Sequence, residues 1–502
     1  MNKIIRSELL VCFLLGALTV PGFAPFYLFP IPLVTLALLC HFWRNSLRPR
    51  AAGWLGFSFG MGMFSAGVTW LYISLHDFGA MPMPVAVLAL IFLCGYLALF
   101  PAMTGWTLRK LDIASPIVWA LAAGALWALS DWLRSVLFTG FPWLTLGYSQ
   151  APLSPLAGFA PVIGVYGVSL LVVLSAALLC LLVQKEKEFR KPLYFLSLLT
   201  LWLAGWGLQQ IHWTEPEGEP VTVSLLQGNI PQDMKWREDQ LISSMENYGR
   251  LALQSDSRLI ITPEISIPLY RNEVSPAYLA QLAAHARRNN GDILVGLVEA
   301  PGGRSEYYNS MFSFGTSPEQ SYRKYHLVPF GEFIPLKPVF GWIINVLKIP
   351  LSDFSRGALG QQPMNIAGQR VAVNICYEDV FGEEIIQQLP QATLLANVSN
   401  DAWFGRSIGP RQHLQISQMR ALETGRYMVR ATNTGVTAII DERGRVLQEA
   451  EIFTTTALHG TAQGFGGATP YVRFGNSLIL GLCGMVLGLA LLSVFRETRK
   501  KR

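Results

Sequence analysis

Six cysteines are spread along the 502-residue chain, and five of them, Cys12, Cys40, Cys94, Cys180 and Cys483, lie inside long apolar runs. There a thiol acts as a small hydrophobe. Cys376 alone stands in the polar part of the chain, directly after the apolar, β-branched run 371–375. A thiol attacks an acyl carbon as thiolate, so it needs a base or a positive neighbour. Glu264 follows the run 258–262 through Pro263, and Lys324 follows the segment containing Tyr322. A carboxylate whose pKa is raised by burial can take the thiol proton. A buried ammonium with a backbone N–H can stabilise the negative oxygen of a tetrahedral intermediate. Each residue alone is weak evidence, because a lone cysteine after a strand is usually core and a glutamate after proline is usually surface.

Other chemistries find less support. The seven histidines show no paired metal-ligand spacing with Cys or Glu, so no metal is expected. No His-x4-Asp arrangement occurs. No cofactor is needed for thiol chemistry of this kind.

The elements that must position these residues are legible from Val221 onward. Runs 221–227, 258–262, 293–298, 311–314, 371–375, 394–398 and 436–440 read as strands. Helices fit 276–288 and 412–424. Strands alternating with helices argue a layered α/β or α+β domain, in which catalytic groups tend to sit at strand ends.

The residues around the three candidates narrow the reading. Ile260-Ile261-Thr262-Pro263-Glu264, Lys324-Tyr325-His326-Leu327-Val328-Pro329-Phe330-Gly331-Glu332 and Asn374-Ile375-Cys376-Tyr377-Glu378 resemble, in order, the Glu–Lys–Cys motifs of the nitrilase, or carbon–nitrogen hydrolase, superfamily. With Gln227-Gly228-Asn229-Ile230-Pro231-Gln232, Thr139-Gly140-Phe141-Pro142-Trp143 and Ser399-Asn400-Asp401-Ala402-Trp403-Phe404-Gly405, the whole chain resembles the bacterial apolipoprotein N-acyltransferases. The resemblance implies an αββα sandwich and transfer of an acyl chain from a membrane phospholipid to the α-amino group of a diacylated apolipoprotein. By matching position, it makes Cys376 the nucleophile, Glu264 the general base and Lys324 the oxyanion stabiliser. Glu332, Tyr377 and Glu378 become supporting residues. Soluble amidases usually carry Asp and an Arg-Phe-Pro stretch after the cysteine, which this chain lacks.

Composition places that domain in a membrane protein. Charged residues are 14% and hydrophobic residues 51%, against roughly 25% charged in an ordinary soluble protein. The net charge of +6 does not imply nucleic-acid binding, because the basic residues cluster between apolar runs. Eight spans are expected, near 8–24, 28–43, 53–75, 84–108, 116–137, 159–183, 193–210 and 475–495. Arg44, Arg48 and Arg50, Arg109 and Lys110, Lys185 to Lys191, and the C-terminal Arg/Lys cluster mark every second connection. The positive-inside rule then makes both termini cytoplasmic. The expected organisation is 1–210 as seven membrane helices, 211–474 as a catalytic domain in the periplasm, and 475–502 as the last span and tail. The expected location is the bacterial inner membrane, and the chain is expected to be a monomer. Cleavage of the first run as a signal peptide would spoil this parity. Asp131 and Arg134, three apart near a span end, read either as an interfacial ion pair or as part of a polar cavity.

The stretch 340–351 is unusually apolar for a polar domain. It reads as a buried loop or as a membrane-facing lid, and the lid is favoured because its apolar residues lack a clean strand period. On the lid reading Trp342 and Ile343 would touch lipid. Trp236 and Trp403 are core aromatics by default and candidate walls of a lipid pocket by location. A membrane-tethered amidase with the same triad is the competing enzyme. A transporter with an outer binding domain is disfavoured by the absence of a clear repeat of spans.

Overall fold

Apolar runs free of charge form helices in this chain, and short β-branched runs bounded by turn residues form strands. The computed structural model describes residues 3–184, 190–303, 306–335, 338 and 353–500. It divides into one unit of Met1–Leu71, Met83–His212 and Arg473–Arg502, and another of Tyr72–Pro82 and Trp213–Val472.

The first unit is helical. Its main helices are Lys3–Thr19, Pro30–Asn45, Pro49–Gly67, Met83–Leu111, Pro116–Val136, Ala160–Val183, Lys191–Leu208 and Ser477–Lys500. Three open on proline, whose fixed φ and missing N–H suit the first helical position. Among the described residues, Met83–Leu111, Pro116–Thr139, Pro155–Val183 and Ser477–Arg499 are long and apolar enough to cross a membrane. The other expected spans are helices of 17, 16, 19 and 18 residues. At about 1.5 Å per residue the shortest reaches roughly 24 Å, less than the roughly 30 Å hydrocarbon core. The run 53–75 is not one helix. Pro49–Gly67 ends where Val68 leaves helical geometry at φ −118°, and Ser74–Phe78 forms a separate π-turn.

Leu88, Phe92 and Leu99 on one long helix, and Met485, Leu489 and Leu492 on another, are exposed. Contiguous apolar surface of this kind marks contact with lipid or a partner. Inside the unit, a Cβ on Gly62 would lie 1.9 Å from the Phe13 carbonyl oxygen, so glycine lets the first and third helices touch backbone to backbone. Arg134 is buried and pairs with Asp131 at 3.1 Å. It also donates to the main-chain oxygens of Phe141 and Trp143, both at 2.6 Å, and to Thr145 Oγ1 at 3.2 Å. The pair therefore fixes the turn after its own helix.

The second unit holds two six-stranded sheets. In chain order the strands are β1 Val221–Gln227, β2 Leu259–Ile261, β3 Asp292–Glu299, β4 Tyr308–Gly315, β5 Ser321–Arg323, β6 Met364–Ile366, β7 Gln369–Ile375, β8 Leu394–Ser399, β9 Met428–Thr432, β10 Ala438–Ile440, β11 Val446–Glu449 and β12 Thr456–Ala462. One sheet runs β12-β1-β2-β3-β4-β5 and the other β11-β10-β9-β8-β7-β6. Alternate residues of both sheets meet in one core: Val223, Leu225 and Ile261 against Val371, Val373 and Val398. The opposite face of the first sheet packs on helices Glu238–Leu253 and Pro276–Arg288 through Leu226, Leu251 and Leu282. The opposite face of the second packs on Gly409–Thr424 through Leu395, Leu414 and Met428. Both faces of the central strands are thus buried, which is why those strands read as nearly continuous apolar runs.

Topology brings the strand ends together. β2 and β3 are parallel, and β5 returns to that direction through antiparallel β4, so β2 and β5 end at the same edge. β7, β8 and β9 are likewise parallel. The turn after β2 lies hard against β3. A Cβ on Gly296 would meet the Pro263 carbonyl oxygen at 2.4 Å and the Ile265 nitrogen at 2.6 Å. Neither backbone atom can swing away, so Gly296→Ala must displace the turn that carries Glu264. The expected result is a loss of about 1–3 kcal/mol of stability, read as a lower Tm of the purified protein, together with slower chemistry at Glu264. An unchanged Tm would mean that this turn has room to move.

Candidate active site

Glu264 enters the site from the turn after β2. Its Oε1 accepts from Asn309 Nδ2 at 2.8 Å and from Lys324 Nζ at 3.1 Å, and its Oε2 accepts from the Asn400 main-chain N–H at 2.9 Å. Lys324 follows β5 directly, and its own N–H donates to the Asn309 carbonyl at 2.8 Å, extending the strand ladder by one residue. Its ammonium is buried between Glu264 and Glu332, with the second carboxylate at 2.9 Å. Asn309 donates to Glu332 as well, at 3.1 Å, and Glu332 also accepts from the Val328 N–H at 2.8 Å. Both carboxylates therefore hold one lysine, and Asn309 bridges the same two oxygens.

Cys376 leaves β7 with φ +54°, in the left-handed region, and opens the 3-10 turn Cys376–Val380. A non-glycine residue there is strained, and such strain gathers at functional sites. Asn397 Nδ2 donates to the Cys376 carbonyl at 3.2 Å, and the Ser399 side chain is in hydrogen-bond reach of the thiol. Burial first, and then the negative charge of Glu264, push the thiol pKa well above its usual value, so Cys376 rests as a neutral thiol. Burial would also discharge Lys324, but the Glu264 and Glu332 carboxylates outweigh it and keep the ammonium well above its ordinary pKa. For Glu264, burial pushes upward while the Lys324 and Lys235 charges and the Asn309 hydrogen bond outweigh it, leaving an ionised carboxylate. The resting site thus pairs an ionised carboxylate with an ammonium and holds a neutral thiol beside them.

Glu378 ties the two sheets' strand ends together. It accepts from the N–H groups of Ile375 and Tyr325, each at 2.6 Å, from that of His326 at 3.2 Å, and from the Tyr322 hydroxyl at 3.0 Å. One side chain therefore fixes both the turn beginning at Cys376 and the turn after Lys324. Tyr377 lies edge-on to the rings of His326 and Phe381, at 5.9 and 5.3 Å. Trp236 is partly buried against the small core of Ile265, Val298, Leu327 and Phe354. The described partners of Trp403 are Ser74, which donates to its carbonyl at 2.7 Å, and Phe78, whose ring is 6.1 Å away. Trp342 and Ile343, with the rest of 340–351, lie outside the described residues.

Comparison with known proteins agrees with this geometry. Residues 15–178 match the apolipoprotein N-acyltransferase N-terminal domain, and residues 222–464 match the carbon-nitrogen hydrolase family. The sequence is 68% identical over 493 residues to the apolipoprotein N-acyltransferase of Nitrosomonas europaea, covering 98% of this chain and 99% of that protein. It is 43% identical to the Chromobacterium violaceum protein of the same name, over 97% of this chain and 94% of that one. The chain belongs to the apolipoprotein N-acyltransferase family. Among solved structures, a carbon-nitrogen hydrolase from Helicobacter pylori G27 is similar at 16% identity and a TM-score of 0.36, over 48% of this chain and 89% of that one.

Three site residues escape a reading of the strand ends alone. Asn309 sits on β4, two residues before the run that signals a strand, and its neighbours conceal it. Asn400 contributes only its backbone. Lys235 precedes Trp236 and is buried, with Nζ donating to the Glu264 carbonyl at 3.1 Å. A lysine in a Gln-Asp-Met-Lys-Trp stretch looks solvated, and only the fold turns it inward.

Burial brings Lys235 down to about 8, while Glu264 and Cys376 oppose that shift. Below that pH its charge helps keep Glu264 ionised. Lys235→Met removes the charge, so the Glu264 pKa should rise. The acid limb of the acylation pH profile should then move up by about one pH unit, with a smaller effect above about pH 8, where Lys235 is already losing its proton. An acid limb at the wild-type position would show that Lys235 does not act on Glu264 electrostatically.

Proposed function

We propose that this protein transfers an acyl chain from a membrane phospholipid to the α-amino group of the N-terminal diacylglyceryl-cysteine of an apolipoprotein, through a thioester on Cys376. The observation that carries this reading is the buried pair of Glu264 and Lys324 beside a neutral thiol on a strained turn. In the first half-reaction the Cys376 thiol gives its proton to Glu264 as sulfur attacks the ester carbonyl. The carbonyl oxygen becomes an oxyanion facing the Lys324 ammonium. The C–O bond then breaks, the leaving alkoxide takes the proton from Glu264, and lysophospholipid departs. In the second half-reaction the acceptor amine attacks the thioester, Glu264 takes a proton from the nitrogen, and the C–S bond breaks. That proton returns to the sulfur, so the site ends as it began. Glu332 and Glu378 hold the geometry, and no cofactor is consumed.

Eight membrane spans, with both termini cytoplasmic and residues 211–474 on the far side of the bacterial inner membrane, complete the proposal. Four long apolar helices and the alternation of basic connections support it. In that setting Trp236, Trp342, Ile343 and Trp403 would line the path of the acyl chain, and the chain would act as a monomer.

Intact-protein mass after incubation with phospholipid alone tests the chemistry. The wild type should gain one acyl group and Cys376→Ala none. Glu264→Gln and Lys324→Met should each form the acyl-enzyme about 100- to 1,000-fold more slowly, as expected for loss of one preorganised group. Adding a diacylated peptide should yield N-acyl peptide. Free fatty acid in its place would mean a hydrolase, and full activity in Cys376→Ala would overturn the proposal.

A further inference from the structure

Behind the Cys376 turn lies a second, fully buried set of charges that the acyl-transfer steps do not use. His413 and Ser417 come from the helix Gly409–Thr424, Arg430 from β9, Asp379 from the Cys376–Val380 turn and Asp401 from the turn after β8. His413 Nε2 lies 2.9 Å from Asp379 Oδ1, and His413 Nδ1 lies 2.8 Å from Asp401 Oδ1. Arg430 reaches the same two carboxylates, at 3.2 Å to Asp379 and 2.9 Å to Asp401. Ser417 Oγ donates to Asp379 at 2.6 Å, and Ser399 Oγ donates to Asp401 at 2.7 Å. Counted with a protonated imidazole, two anions face two cations. With a neutral imidazole, one buried negative charge would stand uncompensated, which a protein interior resists. Burial and the Arg430 charge pull the His413 pKa down, but Asp379 and Asp401 outweigh them and raise it to about 9. Arg430 Nη2 lies 2.7 Å from His413 Nδ1, and Asp401 binds both groups, one on each oxygen.

The cluster reaches the site at three points. His413 Nε2 is 3.3 Å from the Cys376 carbonyl oxygen. Asn397, which Arg430 Nη1 binds through its side-chain oxygen, donates to that same carbonyl at 3.2 Å. Asp401 is the residue after Asn400, whose N–H holds Glu264 Oε2 at 2.9 Å. His413 and Arg430 therefore join the turn that carries the thiol to the turn that holds Glu264.

We infer that His413 is a positioning residue of the acyl-transfer site: as an imidazolium bridging Asp379 and Asp401 it clamps the Cys376 turn to the Asn400 turn and so sets the thiol against Glu264. The inference rests on the proposed roles of Cys376 and Glu264. The imidazole faces Asp379 and the Cys376 carbonyl from one turn, Asp401 and the Phe404 ring from the other, and Arg430 from β9, while Ser417 on its own helix donates to the His413 main-chain carbonyl.

Single-turnover acylation by phospholipid in the full-length protein tests it. His413→Gln should lower the acylation rate at least tenfold while the KM for phospholipid stays within twofold. The double variant His413→Gln with Asp401→Asn should lose no more than the worse single variant, because both changes open the same clamp. Leu414→Ala, a buried core change on the same helix, controls for stability. It should lower Tm yet keep the wild-type rate below its melting range. A wild-type rate in His413→Gln, or a loss no larger than that in Leu414→Ala at matched stability, would overturn the inference. If His413→Gln does not fold, Asp401→Asn keeps the shape of the bridge and removes one charge, and an unchanged rate there is equally fatal. Cys376→Ala run alongside separates the two failures: activity in that variant would defeat the proposed function itself, whereas activity in the His413 and Asp401 variants alone would defeat only the clamp.

Discussion

Glu264, Lys324 and Glu332 bury one ammonium between two carboxylates, and the rest of the catalytic unit is arranged around keeping them there. Charges taken out of water are costly unless paired and hydrogen-bonded. Asn309 bridges the two carboxylates, Asn400 and Val328 supply backbone N–H groups, and Lys235 brings a second positive charge from another loop. Each of these partners comes from a different element. The ion cluster therefore draws its partners from the strand ends of both sheets.

The sandwich supplies that assembly through its topology. Parallel β2 with β5 restored to the same direction delivers the base and the ammonium to one edge, while parallel β7 and β8 deliver the thiol and the Asn400 turn. Glu378 then crosses between the sheets, accepting from N–H groups on both sides of the gap. Its carboxyl is pushed up by burial to about 8, while those backbone donors and the Lys324 charge oppose the rise. A carboxyl set between three N–H groups spans a distance that no main-chain hydrogen bond could cover. The close seating of the Pro263 turn on Gly296 adds a second constraint, fixing where Glu264 leaves the sheet.

Much of this was legible in the residues. The strands 221–227 and 394–398, the helix 276–288 and the positions of Glu264, Lys324 and Cys376 at strand ends follow from periodicity and turn residues, and the structure places elements there. Short edge strands such as β5, β6 and β11 were not legible, because three or four residues give too little pattern to separate from a loop. Of the site, the acid, the ammonium and the thiol could be named from type and position. Asn309, Lys235 and the His413 cluster could not, because their meaning lies in contacts across long sequence separations: Asn309 is 45 residues from Glu264, and Arg430 is 51 from Asp379. The length of the membrane helices was also beyond the composition, since apolar runs continue through the break at Val68 and say nothing of where backbone geometry changes.

The electrostatics also fix the order of chemical events. A cysteine nucleophile is often activated by lowering its pKa, which leaves a standing thiolate. Here burial first, and then the Glu264 charge, push the Cys376 pKa upward, and Lys324, already held by two carboxylates, offsets only part of that push. In the proposed mechanism the thiol therefore loses its proton only as sulfur attacks, when the developing oxyanion gives Lys324 a new partner. Susceptibility to oxidation follows thiolate character and exposure. A partly buried thiol that stays protonated until an ester carbonyl arrives is less open to oxidation than a permanent thiolate would be. Burial and the charge of Glu264 thus keep the proposed nucleophile latent until a donor ester arrives.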